Sequence, residues 1–149
     1  KAVIHVDSTD DILVKKSAEF LQQDIEQVTG KKVEIVSRFE KKSTLYIIVG
    51  TTGKSGAINN LEKSGKISLK EIAGKWEAYK IQTITGIPGQ SAARVLVIAG
   101  SDRRGVAYGV FELSRQIGVS PWYWWADVPV LKKQALSCKP SCCARVATE

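Results

Sequence analysis

The chain has 149 residues and a mass of 16.3 kDa, enough for one domain with a sizeable core. Its 44% hydrophobic and 25% charged content is that of an ordinary globular protein, and no apolar run approaches the roughly 20 residues of a membrane-spanning helix. Net charge is +7, but the lysines fall in dispersed pairs at 15–16, 31–32, 41–42 and 132–133 rather than along a stripe, which argues against a nucleic-acid partner.

The chain opens on a strand, Ala2–Val6, with no secretory leader before it; Lys1 and the lack of any Met read as a processed or excised piece. Asp7-Ser8-Thr9-Asp10-Asp11 then supplies caps and acidic charge for a helix start. Val14, Ala18, Leu21, Ile25 and Val28 recur at alternating steps of four and three, which predicts one amphipathic helix closing at Gly30. Strands are expected over Lys32–Ser37 and Thr44–Gly50, the second apolar at consecutive positions and so covered on both faces.

Ile47–Ala57, IIVGTTGKSGA, has the look of a phosphate-binding loop but not its spacing. Four residues must separate the first glycine from the Gly-Lys pair, so that successive backbone N–H groups can wrap the phosphates. That position holds Ile48, and Gly50 leaves only Thr51 and Thr52 before Gly53. The stretch is a strand-to-helix turn.

A short helix is expected over Ala57–Ser64 and one turn over Leu69–Ile72. Trp76–Thr85 and Arg94–Ala99 read as strands, joined by the loop Gly86–Gln90. Asp102 or Ser101 caps a second long helix with Val106, Val110, Leu113 and Ile117 as its inward stripe and Gly118 as its stop. Gly105 and Gly109, one turn apart, let that helix approach a sheet closely. The alternation of strands and helices predicts an α/β domain in two or three layers, with a mixed β-sheet of about five strands flanked by two long helices.

Little here suits catalysis. The single histidine, His5, lies inside the first strand, where a satisfied structural role is expected, and no second histidine or paired nucleophile supports Ser-His or Cys-His chemistry. Asp10 and Asp102 read as helix caps, and Glu19, Asp24, Glu26 and Glu112 as members of a polar helix face. Cys138, Cys142 and Cys143 have no zinc spacing, so no metal and no cofactor is expected.

Two stretches stand out. Trp122-Tyr123-Trp124-Trp125 packs three of the four tryptophans into four residues, with Asp127 just beyond and without an evident partner. In an extended segment Trp122 and Trp124 face one way, Tyr123 and Trp125 the other. One pair can join the core and the other a surface that meets a neighbour, or aromatic faces can stack on sugar rings. The second stretch is Ser101-Asp102-Arg103-Arg104, whose two cations at a helix start oppose the dipole and call for an anion: Asp102 itself, an acid of a neighbouring domain, or a ligand carboxylate.

VIAGSDRRGVAYGVFELSRQIGVSPWYWWADVPV, residues 97–130, resembles the amino-terminal domain of glycoside hydrolase family 115, the xylan α-1,2-glucuronidases. Asp24–Gly30, Ile48–Ser55 and Gly74-Lys75-Trp76-Glu77 are similar to that family too, and the likeness covers about residues 2–136. It implies an accessory domain, 1–136, in front of a catalytic (β/α)8 barrel that this chain lacks, with 137–149 as a disordered or non-native tail. It also implies that the parent enzyme is secreted or periplasmic and releases glucuronic acid or its 4-O-methyl ether from glucuronoxylan. No catalytic residue of the family carries over onto this fragment, which is expected to be inactive alone. A stand-alone carbohydrate-binding module using Trp122–Trp125 is the alternative. Neither reading calls for a nucleic acid or a membrane.

Overall fold

The computed structural model describes residues 1–39, 43–119 and 143–145. In chain order the elements are β1 (Ala2–Val6), α1 (Ile12–Thr29), β2 (Glu34–Val36), β3 (Leu45–Thr51), α2 (Gly56–Lys63), β4 (Tyr79–Ile87), β5 (Gln90–Gly100), α3 (Arg103–Ile117) and β6 (Cys143–Arg145). They build one sheet in the order β2-β1-β3-β5-β4-β6. β2, β1, β3 and β5 run parallel, whereas β4 is antiparallel to both its neighbours. The mixed α/β sheet with two long helices is therefore present, with a short sixth strand from within the segment read as a tail.

Alternation along the strands sends side chains into two cores. Ile4, Val6, Ile47, Val49, Tyr79, Ile81 and Ile98 point to one face, where the stripes of α1 and α3 cover them. Val3, Tyr46, Ile48, Ile84, Val95 and Val97 point to the other, under α2 and Ile67, Leu69 and Ile72 of the segment that follows it. Each fully buried Val, Leu or Ile side chain contributes about 2 kcal/mol. The fold has three layers, and both long helices lie on the same side.

Local chemistry explains the boundaries. Asp11 caps α1 by accepting from Leu13 N, and Gly30, at φ 70°, ends it. Asp10, expected as a cap, works elsewhere. Its buried carboxylate accepts from Asp11 N and Thr51 N at 2.8 Å each, tying the first loop to the end of β3. The strand expected from Trp76 starts only at Tyr79, because Glu77 has φ 52° and cannot lie in a ladder. The expected loop Gly86–Gln90 contracts to a hairpin turn, since β4 continues to Ile87 and β5 begins at Gln90, with a register shift near Gly86.

α3 sits on the sheet as closely as its glycines allow. A Cβ on Gly105 would stand 2.2 Å from the Ala78 carbonyl oxygen, and one on Gly109 2.7 Å from Ile98 Cγ2. Parallel to α3 runs α1: Arg103 meets Asp11 near the start of both helices, and Asp24 lies against Ser114 near their ends.

Candidate functional site

Open α/β sheets bind ligands beyond the carboxyl ends of their parallel strands, where successive helices depart to opposite faces. Here that place lies between β1 and β3, since α1 and α2 leave them for opposite sides. The chain fills it with its own carboxylates. Asp7 Oδ2 accepts from Gly56 N at 2.9 Å, at the first turn of α2, and Asp7 Oδ1 accepts from Thr9 N and Thr9 Oγ1. The anion seat that a phosphate loop would offer is thus taken by Asp7. Gly53 N donates to Asn59 Oδ1 at 3.0 Å, and Ser55 caps α2. Gly50 is required because a Cβ there would stand 2.6 Å from Ser55 Cβ.

These acids are poor proton donors. The Thr9 backbone N–H, above all, holds Asp7 below the usual carboxylate range, and the N–H of Leu13 does the same for Asp11. Each carboxylate stays ionised and engaged with backbone donors. Among the described residues no group of three His, Cys, Asp or Glu could hold a metal ion.

The second predicted cluster, Ser101 to Arg104, forms a clasp at the start of α3. Asp102 Oδ1 accepts from Gly105 N at 2.7 Å and its Oδ2 from Glu77 N at 2.9 Å. Ser101 Oγ accepts from Ala78 N at 3.1 Å, and Ser101 N donates to Ala78 O at 2.8 Å. Arg104 pairs with Glu77 Oε1 at 2.9 Å, and Arg103 approaches Asp11 Oδ2 at 3.6 Å. The anions beside the two cations thus come from Glu77, Asp11 and Asp102. Glu77, which sequence reading left in a strand, closes this arrangement in a left-handed conformation that costs roughly 1 kcal/mol or more. The clasp leaves the neighbouring Trp76 side chain in water, 84% exposed.

Trp122, Tyr123, Trp124, Trp125 and Asp127 lie outside the described residues.

Other polar groups serve the fold. His5 stacks on Phe39 with ring centroids 4.2 Å apart, and Phe39 meets Tyr46 edge-on. Burial lowers the imidazole pKa, against the pull of Asp7 and hydrogen bonding to the backbone of Ser37. Its Nδ1 has no hydrogen-bond partner among the described residues, so the ring is less fully satisfied than expected. Lys80 is buried in β4, donates to Ser68 O at 2.9 Å and lies 3.6 Å from Glu71 Oε2. Asp24 is half-buried in the α1–α3 seam, where burial raises its pKa; Ser114 Oγ faces it without hydrogen-bond geometry. A cavity of about 330 Å³ opens beside β2, lined by Val6, Lys15, Glu19, Ile35 and Ser37 among others.

Four parallel strands with β4 antiparallel beside them, and a strand-end crevice filled by the chain's own carboxylates, define an α/β unit. Similar units form part of longer solved chains. The chain is 34% identical to BtGH115A, a family GH115 4-O-methyl-α-glucuronidase with specificity for decorated arabinogalactans, with a TM-score of 0.70 over 91% of this chain. It spans 16% of that protein's length. It also shares its fold with part of CpGH84D, at 12% identity and a TM-score of 0.54, over 76% of this chain and 17% of that one. No protein-family profile and no curated protein matches the chain.

Proposed function

We propose that this chain is the non-catalytic amino-terminal domain of an α-glucuronidase. The parent releases glucuronic acid or its 4-O-methyl ether from a decorated polysaccharide, glucuronoxylan by the sequence resemblance, outside the cytoplasm. The domain packs on the catalytic barrel of the same polypeptide and supports it. One observation carries this reading: 34% identity to a GH115 α-glucuronidase over 91% of the chain, at a TM-score of 0.70. The site chemistry agrees, since hydrolysis of a glycosidic bond usually needs two carboxyl groups on opposite sides of the bond. The acids of the strand-end crevice are instead committed to backbone N–H groups.

The test has two arms. Incubated alone with aldouronic acids, the chain releases no glucuronate, and release would overturn the reading. Deleting residues 1–136 from the parent lowers the yield of soluble, active barrel towards glucuronoxylan, with glucuronidated arabinogalactan as the comparison substrate. A barrel that stays soluble and fully active without those residues would remove the supporting role.

A further inference from the structure

The two outer surfaces of this domain differ in a way that points to a partner. Among the described residues, α1 and α3 carry four exposed large apolar side chains, Ile12 (73% exposed), Phe20 (44%), Tyr108 (43%) and Phe111 (53%), while the less exposed Ile35, Phe39 and Leu45 lie on or beside β2 and β3. Trp76, at 84%, stands by the clasp at the start of α3. The helices run parallel, with Arg103 beside Asp11 and Ser114 beside Asp24. Phe20 is one turn before Asp24 on α1, and Phe111 one turn before Ser114 on α3, so these two rings lie level with each other along the seam. Tyr108 continues the row on α3 towards Ile12.

Four ion pairs lie on this side. Lys16 meets Glu19 at 2.8 Å, Arg115 meets Glu112 at 2.6 Å, Arg104 meets Glu77 and Arg103 approaches Asp11. Aromatic and arginine side chains with locally neutralised charge are the composition of an interface core. The opposite surface has no such row among the described residues: Phe39, 36% exposed, is stacked on His5, and the outward residues of α2 are Asn59, Asn60, Glu62 and Lys63.

We propose that the outer face of α1 and α3, centred on Phe20, Tyr108 and Phe111, is the face that docks on the rest of the polypeptide. This rests on the accessory-domain reading above. The occupant is argued from length: in BtGH115A the matched region is 16% of the chain, and in CpGH84D 17%, so a much larger body accompanies this fold in both. A second copy is the poorer occupant, because each chain carries a net charge of +7.

Hydroxyl-radical footprinting tests the assignment, comparing this chain alone with the full polypeptide that continues into its barrel. Labelling of Phe20, Tyr108 and Phe111 should fall by about threefold or more in the full polypeptide, because interface cores exclude water. Protection of the α2 surface instead would overturn the assigned face while leaving the accessory-domain reading intact. No protection on either surface would sink both. Rings already protected in the isolated chain, or protected only as its concentration rises, would show a cover of the chain's own or a second copy, and either would overturn the proposal. In a further arm, F111D should leave the melting temperature of the isolated chain unchanged and lower that of the full polypeptide; equal effects on both would count against docking.

Discussion

The two layers that cover the sheet do opposite work. On one side α2 and the segment after it bury Ile58, Leu61, Ile67, Leu69 and Ile72 and turn amides and charges to solvent. That layer is finished. On the other, α1 and α3 bury their stripes just as fully but leave Phe20, Tyr108 and Phe111 in water. A helix needs only one apolar stripe to hold a sheet, so a second stripe facing outward adds nothing to the fold of this unit. The contrast separates the apolar surface that the unit uses to fold from the apolar surface that it leaves exposed.

Substitutions can break the comparison from either side. The largest effect is expected for G105A: the added methyl would meet the Ala78 carbonyl at 2.2 Å, push α3 off the sheet and cost about 3 kcal/mol, read by urea unfolding. D102A removes the helix cap and also leaves Glu77 N without its acceptor, for about 2 kcal/mol. In β4, K80M keeps the buried aliphatic stem but loses the charged hydrogen bond to Ser68, for about 1.5 kcal/mol, with faster amide exchange over 65–75 and none over α3.

His5 gives the polar-coated layer a dependence on pH. Its folded pKa lies below the ordinary 6.5, so the unfolded chain takes up the proton first as pH falls. Stability is then full above about 6.5 and declines below it, towards the lowered folded value. An H5F variant should flatten unfolding free energy across that window. Persistence of the slope would assign it to a group other than Asp24, whose raised pKa makes stability rise, not fall, as pH drops. Smallest of all is Y108S, expected within about 0.5 kcal/mol of the parent chain, since the ring contributes an exposed surface.

Much of the fold was legible because its signals are periodic. The stripe from Val14 to Val28 gave α1, the one from Val106 to Ile117 gave α3, and the consecutive apolar residues of β3 announced cover on both faces. Periodicity has no term for sidedness, so it could not say that the two long helices share one face. Nor could it place Glu77: a glutamate at positive φ is chosen by its partners Asp102 and Arg104, which lie at least 25 residues away in sequence. The exchange of roles between Asp10 and Asp11 has the same origin, because Thr51 N decides it from across the sheet. Of the candidate site, Ser101–Arg104 was placed at the correct helix start, while its outward neighbours Trp76, Tyr108 and Phe111 were read as strand or helix and not as surface.

Asp7 carries a consequence for engineering. By resting on Gly56 N it behaves as a tethered ligand, the chain's own stand-in for a soluble anion. Trimming it to glycine would vacate that seat at the start of α2, and free acetate or sulfate should then restore the lost melting temperature by chemical rescue. A scaffold that already holds such a plug could be converted, by one truncation, into a receptor for small oxyanions.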